Sequence, residues 1–395
     1  MSNMYWPLMK DCITQEDKNA MSEFILTAGR FTNGPRVKQF EEEWSKWLGV
    51  KRSLFVSSGS TANFLLLAAI KEHYKLKDGD KVLVPAMTWV TNIGPVIQLG
   101  LEPVFCDVDK RTFSFDKNYM KQLSLIHDDI KAVFVSHLFG VPAEIEEYKK
   151  ILPDAVFIED VCESHGAKCK TGMAGTLSEG STFSFYFGHH ITTVEGGMVS
   201  TNNEALYQLM RAKRSHGMAR ECDESYFKQY VEHYPDVHPM FMFITDGYNF
   251  RNSELYAVLG TEQLKRLTAQ NIKREENYKK FREIISKYPD LLKCDLISEG
   301  TSSFCLQFIC SSHDKKNILE KELQKRGIET RPLCSGNLLR QPFLRDTYDR
   351  PDNFPNAEYL HNHGFFIGNN HLITDEDFKK FENDLEQAVY EVYQW

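Results

Sequence analysis

Apolar residues occur along the chain in short continuous runs separated by segments with helical spacing. The runs at 53–56, 81–86, 102–108, 131–140 and 154–160 are typical of strands buried on both faces. The stretches 15–28 and 37–50 have apolar residues at helical intervals. Strands alternating with helices predict an α/β fold with a mostly parallel sheet between helices.

The pattern changes from about Leu264. A long charged helix is expected over 264–288, followed by shorter strands and a C-terminal helix over 375–395. We expect two domains. Residues 1–265, including the N-terminal segment, form a large domain, and residues 266–395 form a smaller C-terminal α/β domain.

Composition narrows the class of protein. The 395 residues are 42% hydrophobic and 26% charged, which suits a globular protein with a sizeable core. The net charge of −8 argues against a nucleic-acid partner. The sequence has no apolar run of about 18 residues, and its N-terminus lacks the apolar segment of a signal peptide. We therefore expect no membrane association and a cytoplasmic location.

The nine cysteines are scattered, without any CxxC or CxC pair. This usage is typical of reduced thiols. We expect no disulfide framework, no metal site and no iron–sulfur cluster.

Three strand ends carry candidate ligand-binding residues. SSGSTAN, 57–63, places small residues between a strand and a helix, where free backbone N–H groups suit a phosphate; an ordinary helix cap explains it equally well. Asp160 ends a buried strand and could pair with a ring nitrogen or cap the next helix. Trp89 follows another strand and could stack on a ring or lie in the core.

The stretch from Ser181 to Thr201, STFSFYFGHHITTVEGGMVST, is predicted to form a strand, a tight turn and a second strand. His189 and His190 are placed where the first strand ends. Paired histidines are more often structural than catalytic, so this pattern alone does not assign them a role. The stretch contains no lysine.

Taken together and in order, these features resemble the sugar-nucleotide branch of the fold-type I pyridoxal-phosphate aminotransferases, the DegT/DnrJ/EryC/StrS type. The resemblance covers essentially the whole chain. Its further motifs are GRFTNGPRVKQFEEEW, PAMTWVTN, IEDVCESHGA, FSFYFGHHITTVEGG, RSHG and DGYNFRNSELYAVLG. It implies a seven-stranded large domain with a smaller C-terminal domain, a pyridoxal or pyridoxamine phosphate cofactor, and a homodimer with a shared active site.

The resemblance also gives the missing lysine a meaning. The family's lysine bonds covalently to the cofactor, and alignment on Ile191–Gly197 puts His189 at its position. A subgroup of pyridoxamine-phosphate-dependent sugar 3-dehydratases makes the same replacement. Its GDP-sugar members of the colitose pathway are similar also in ETRPLCSGNLL and GFFIGNNH. Its CDP-sugar members carry a cysteine-ligated iron–sulfur cluster, which the scattered cysteines disfavour. This chain has Gly188 where those GDP-sugar members have serine, with an unknown effect.

The resemblance implies a role for each candidate residue. His189 is the catalytic base, with His190 supporting it, although the reverse assignment stays open. Substrate contacts are expected from His216, Arg251 and Arg331, the last of which could equally be a surface or domain-bridging residue. The cofactor contacts implied are Gly59, Ser60 and Ser184 at the phosphate, Asn249 at the phosphate from the partner subunit, Trp89 on the ring, Asp160 at the ring nitrogen, and Glu163 near the ring hydroxyl.

The implied reaction is loss of the C3 hydroxyl from a nucleotide-linked 4-keto-6-deoxy sugar, with GDP-4-keto-6-deoxy-D-mannose as the substrate. The cofactor is held without a covalent bond, and L-glutamate restores its amine. Two alternatives remain at this stage: a sugar-nucleotide aminotransferase lacking the covalent lysine, and a catalytically silent cofactor-binding protein. The sequence identifies neither the nucleotide nor the sugar stereochemistry by any base-reading residue.

Overall fold

A seven-stranded sheet forms the centre of the chain. The computed structural model describes residues 4–348 and 350–394. The strands are β1 (Arg52–Val56), β2 (Lys81–Pro85), β3 (Glu102–Cys106), β4 (Ile130–Ser136), β5 (Val156–Asp160), β6 (Gly180–Ser184) and β7 (Gly197–Thr201). Their order is β1-β7-β6-β5-β4-β2-β3, and β7 is antiparallel to both of its neighbours. The other adjacent pairs are parallel, so the predicted mostly parallel sheet is confirmed.

Helices cover this sheet and connect it to the C-terminal part of the chain. They are α1 (Gln15–Thr27), α2 (Pro35–Leu48), α3 (Gly59–His73), α4 (Gly94–Gln98), α5 (Lys117–Ile126), α6 (Ile145–Ile151), α7 (Glu204–Arg214), α8 (Glu224–His233), α9 (Glu254–Ile285), α10 (His313–Lys325), α11 (Pro342–Arg345), α12 (Pro355–His363) and α13 (Asp375–Gln394). The predicted C-terminal helix is α13; Trp395 lies outside the described residues. In the described part of the chain, no helix combines the length and apolar character needed to cross a bilayer.

A second, antiparallel sheet lies in the C-terminal part. It consists of β8 (Cys305–Ile309), β9 (Thr330–Pro332) and β10 (Gly364–Gly368) in the order β8-β10-β9. Trp6 packs into the core of this part, pairs with Ile328 and donates its indole N–H to the Gly368 carbonyl at 2.9 Å. The N-terminal segment is therefore anchored to the C-terminal elements.

Helix α9 runs unbroken through the predicted domain boundary at 265/266. It begins ten residues before the predicted start at 264, because Ser253 caps it by accepting the Tyr256 N–H. Gly260 lies within this helix, and its lack of a side chain lets Phe40 pack closely, since a Cβ there would lie 2.5 Å from the Phe40 ring. The division into residues 1–265 and 266–395 remains a prediction.

The predicted tight turn between β6 and β7 is wrong. Strand β6 ends at Ser184 and β7 begins at Gly197, so both histidines lie in a loop, 185–196, and not at a strand end. Phe185 closes the base of this loop: its N–H donates to the Gly196 carbonyl, and its carbonyl accepts the Thr193 N–H. The residues between Phe185 and Gly196 therefore lie outside the paired strands, which alternating hydrophobicity could not reveal.

Candidate active site

A cavity of about 610 Å³ lies where the carboxyl ends of the central strands meet the second sheet. The start of α3, the ends of β5 and β6, loop 185–196 and all three strands of the second sheet contribute to its wall. The predicted site residues that line it are Gly59, Ser60, Trp89, Asp160, Glu163, Ser184, His189 and Arg331. The location is the one at which open α/β sheets bind ligands.

The start of α3 forms an anion cradle. Ser58 caps the helix by accepting the Thr61 N–H, while the N–H groups of Gly59 and Ser60 in the first turn have no acceptor within the helix. A Cβ on Gly59 would lie 2.6 Å from the Ser184 Cβ and 3.0 Å from its Oγ. The glycine thus lets the serine hydroxyl approach the helix N-terminus, where dipole and donors favour a phosphate.

Asp160 is held at the cavity by a buried polar network. Its Oδ2 accepts the side-chain amides of Asn63 at 2.9 Å and Asn92 at 3.0 Å, and its Oδ1 accepts the Cys162 N–H at 2.9 Å. The carboxylate is 6% exposed, so its orientation is fixed. Sequence reasoning missed both asparagines, although each lies in a motif already singled out, SSGSTAN or PAMTWVTN.

Glu163 lies on the same wall. Its Oε2 accepts the N–H of Phe139, a residue in the left-handed region with φ of 59°. Burial raises the pKa of Glu163 to about 7, and the charge of Asp160 adds to the effect. Near neutral pH this carboxyl can therefore act as either hydrogen-bond donor or acceptor.

The two histidines occupy different positions. His189 lines the cavity, and its buried Nδ1 has no partner, so Nε2 is the nitrogen available to a ligand. His190 is 1% exposed, and its Nε2 is bonded to the Ser302 carbonyl at 2.9 Å. Burial, assisted by the charge of Arg274, lowers the pKa of His189 to about 3. The geometry favours His189 as the reacting imidazole and His190 as its support.

Trp89 and Arg331 lie at the cavity wall with much of their surface exposed. The indole is 53% exposed and so presents a face that a ring could cover. Arg331 is in β9 and forms an ion pair with Glu329 at 3.2 Å. The arginine could turn toward a ligand at little cost, since exposed ion pairs contribute little stability.

Asn249, Arg251 and His216 form a separate group that does not line the cavity. Arg251 Nε donates to Asn249 Oδ1 at 3.0 Å, and its NH2 is 3.2 Å from His216 Nε2. Asn249 and His216 are exposed. The structure therefore brings these three predicted residues together outside the cavity lining, although Arg251 pairs with Val56, three residues before Gly59.

Comparison with known proteins places these features in one family. The model of the DegT/DnrJ/EryC1/StrS aminotransferase family matches residues 11–386. The chain belongs to this family. Its mostly parallel seven-stranded sheet is that of the fold-type I pyridoxal-phosphate enzymes, and its site lies at the carboxyl edge of this sheet.

Similar proteins of this family are named as dehydratases. A GDP-4-keto-6-deoxy-D-mannose 3-dehydratase from Yersinia pseudotuberculosis is 36% identical, over 97% of this chain and 98% of the relative. The solved Escherichia coli GDP-4-keto-6-deoxy-D-mannose-3-dehydratase with bound hydrated pyridoxal phosphate has a TM-score of 0.87 and 31% identity, covering 97% and 99% of the chains. A GDP-4-keto-6-deoxymannose-3-dehydratase with a trapped pyridoxal phosphate–glutamate geminal diamine has a TM-score of 0.86 and 32% identity, covering 96% and 100%.

The cavity fits a pyridoxal or pyridoxamine phosphate, the cofactor of this family of enzymes. The anion cradle at Gly59 and Ser184 would hold the phosphate, and the fixed carboxylate of Asp160 would pair with the ring nitrogen. Among the described residues, no lysine lines the cavity. The donor set therefore suits the cofactor held without a covalent bond.

Proposed function

We propose that this protein removes the C3 hydroxyl of GDP-4-keto-6-deoxy-D-mannose, using pyridoxamine phosphate held without a covalent bond. The observation that carries the proposal is an imidazole, His189, in a cavity that has a phosphate cradle and Asp160 but no lysine among its described lining residues. The relatives that support GDP as the nucleotide are similar over nearly their whole length.

The residues divide the chemistry between them. The bound cofactor supplies an amine for the C4 ketone and a ring that takes up electrons from the breaking bonds. Asp160 holds a proton at the ring nitrogen and keeps the ring electron-poor. His189, neutral because its pKa is low, would accept at Nε2 the proton released from the amine-bearing carbon of the cofactor and deliver it to the departing C3 hydroxyl, which leaves as water.

A lysine in place of His189 would favour a different outcome. A primary amine would capture the aldehyde form of the cofactor and return a proton toward an amino sugar. An imidazole does neither stably, so hydrolysis releases the 3-deoxy ketone together with the amino nitrogen as ammonia. L-glutamate, which one solved relative holds trapped on its pyridoxal phosphate, then restores the cofactor amine.

The exposed group of Asn249, Arg251 and His216 supports a homodimer with shared sites. These polar side chains face outward and do not line their own cavity. In a two-fold dimer they would complete the partner's site, with Asn249 at its phosphate. The enzyme would act in the cytoplasm, supplying a dideoxysugar such as colitose for a surface glycan of the O-antigen kind.

The deciding experiment is the mass of the product. The protein is incubated with pyridoxal phosphate, L-glutamate and GDP-4-keto-6-deoxymannose, and the sugar nucleotide is analysed. Net loss of one oxygen supports dehydration. Replacement of the ketone by an amine would mean transamination, and no change with this substrate or with its CDP counterpart would point to a silent binder.

A further inference from the structure

Arg274 is a buried cation without a counter-charge. It lies within α9, is 4% exposed, and donates to the carbonyl of Asn369 and to that of Phe304 at 3.4 Å. Its Nε has no partner, and no carboxylate of the described residues is among the charges that act on it. Burying such a charge costs several kcal/mol. Its position therefore calls for a compensating role.

The residue that Arg274 holds is in contact with the candidate base. The Phe304 ring packs against His189 with a centroid distance of 5.3 Å and against His190 at 6.1 Å. The Phe304 N–H donates to the Phe139 carbonyl at 3.0 Å, which fixes the backbone on its other side. Arg274 thus helps to fix the aromatic surface against which the imidazole lies.

Three imidazoles lie together, two of them against Phe304; His165 and His190 are buried, and His189 is partly exposed at the cavity. We call His165, His189 and His190 the imidazole cluster; the His165 ring is 6.2 Å from His189 and 5.0 Å from His190. Both nitrogens of His165 are buried without partners. Burial lowers the pKa of all three, and the charge of Arg274 lowers each of them further.

Other titratable groups line the cavity that His189 faces. They come from the ends of β4 and β5 and the segments after them, from loop 185–196 and from the second sheet, and are His137, Asp160, Cys162, Glu163, Tyr186, Glu195, Cys305, Arg331 and Cys334. The acidic groups among them favour a protonated imidazole when they are ionised. Arg274, which does not line the cavity, opposes them from the protein interior.

We propose that Arg274 is a positioning residue for His189, holding Phe304 against the imidazole and contributing an uncompensated buried charge to its surroundings. The proposal rests on the proposed role of His189 as the base. A neutral imidazole is ready to accept a proton. Once protonated beside an uncompensated cation, it gives that proton up readily to the departing hydroxyl.

The test compares three variants in cofactor-free protein. Arg274→Met removes the charge and keeps an unbranched aliphatic side chain, while Arg274→Lys keeps the charge and loses the planar guanidinium group. Arg282→Met is the matched control, because Arg282 is on the same helix and also donates to a backbone carbonyl, that of Cys294. Histidine-labelled protein is titrated by NMR, and the His189 signal among the thirteen histidines is assigned by its loss in His189→Asn.

In the wild type and in Arg282→Met, His189 should stay neutral from pH 8 down to about pH 4. In Arg274→Met the imidazole should become protonated at a higher pH than in the wild type, because the opposing buried charge is gone. Arg274→Lys should titrate like the wild type, but lower kcat about fivefold with KM unchanged, because Phe304 is less firmly held.

Three results would overturn the proposal: a wild-type His189 that titrates near pH 6.5, a folded Arg274→Met whose curve superimposes on the wild type, or an Arg274→Lys in which His189 titrates like an ordinary histidine. The first and third of these results can be obtained even if the Arg274→Met variant does not fold. Because the titration uses neither cofactor nor substrate, it can fail while the product-mass experiment succeeds, and the reverse is equally possible.

Discussion

Asn92 donates its side-chain amide to Oδ2 of Asp160 at 3.0 Å, and both side chains are buried. The hydroxyl of Thr88 in turn donates to Oδ1 of Asn92 at 2.8 Å, so the amide cannot turn away. The orientation of the carboxylate toward the cavity therefore depends on Asn92, which also lines the cavity.

Asn92→Ala should weaken cofactor binding. It removes one of the two amides that orient Asp160, and a hydrogen bond to a charged group is worth about 1.5–3 kcal/mol, so we expect the Kd for pyridoxamine phosphate to rise about tenfold. Fluorescence titration of the cofactor measures it. Asn203→Ala, which removes the cap of α7, is the control and should lower only the free energy of unfolding.

Gly59→Ala should abolish the phosphate cradle. The new methyl group would lie 2.6 Å from the Ser184 Cβ, which forces the serine or the helix start to move. We expect a loss of about 1–3 kcal/mol in the free energy of unfolding and at least about a tenfold rise in the cofactor Kd. Gly29→Ala has no atom within 4 Å of its Cβ and should leave both values unchanged. Equal effects of the two substitutions would disprove the cradle.

His189→Asn should lower the rate of dehydration by about 10²–10⁴-fold, the usual contribution of a general base. The cofactor Kd should change less than about threefold, since the phosphate cradle and Asp160 remain. His190→Asn is the matched variant: it loses the bond to the Ser302 carbonyl, so stability should fall while activity stays within about tenfold. The opposite pattern of rates would assign the base to His190.

Glu163 should make stability depend on pH. Its pKa is raised to about 7 in the folded protein, so the folded state binds more protons than the unfolded state between about pH 4.5 and pH 7. Stability from this group is therefore present at low pH and lost as pH rises through 7. Glu163→Gln keeps an acceptor for the Phe139 N–H and removes the titration.

Relative to the wild type, cofactor-free Glu163→Gln should gain about 1–2 kcal/mol in the free energy of unfolding on going from pH 5 to pH 8. Urea unfolding at a series of pH values measures this difference. Parallel curves for the two proteins would show that Glu163 does not titrate in this range.

The shared site can be tested by complementation. Asp160→Asn and Asn249→Ala should each be inactive alone, whereas mixed dimers would contain one site with neither change. Random mixing makes half of the dimers mixed, so refolding the two variants together should restore about a quarter of the wild-type activity. Chains mixed without subunit exchange are the control. No recovery after exchange would place Asn249 outside the partner's site.

Sequence reasoning predicted the parts of the site that lie next to strand ends. Asp160 ends one buried strand and Gly59 begins the helix that follows another, and the carboxyl ends of parallel strands meet at one edge, so their meeting could be foreseen. The family resemblance, not the pattern, singled out His189 and Glu163. The cavity contains all four.

The supporting residues could not be predicted in the same way. Arg274 and Phe304 come from the C-terminal part of the chain, and they meet the imidazoles only through tertiary packing. A buried arginine without a carboxylate also has no local signature, because its neighbours in α9 are the usual charged residues of an amphipathic helix. Loop 185–196 was mistaken for a turn since its apolar residues continue the strand pattern.

The placement of His189 in loop 185–196 has a consequence for how this fold can change its chemistry. Within a strand, a shift of one residue would turn every side chain to the other face. The loop is instead closed by Phe185 at its base, so the group at position 189 can be exchanged while β6 and β7 keep their pairing. A single amino-acid substitution at this position can therefore change the reaction during evolution, while the sheet and its strand pairing are retained.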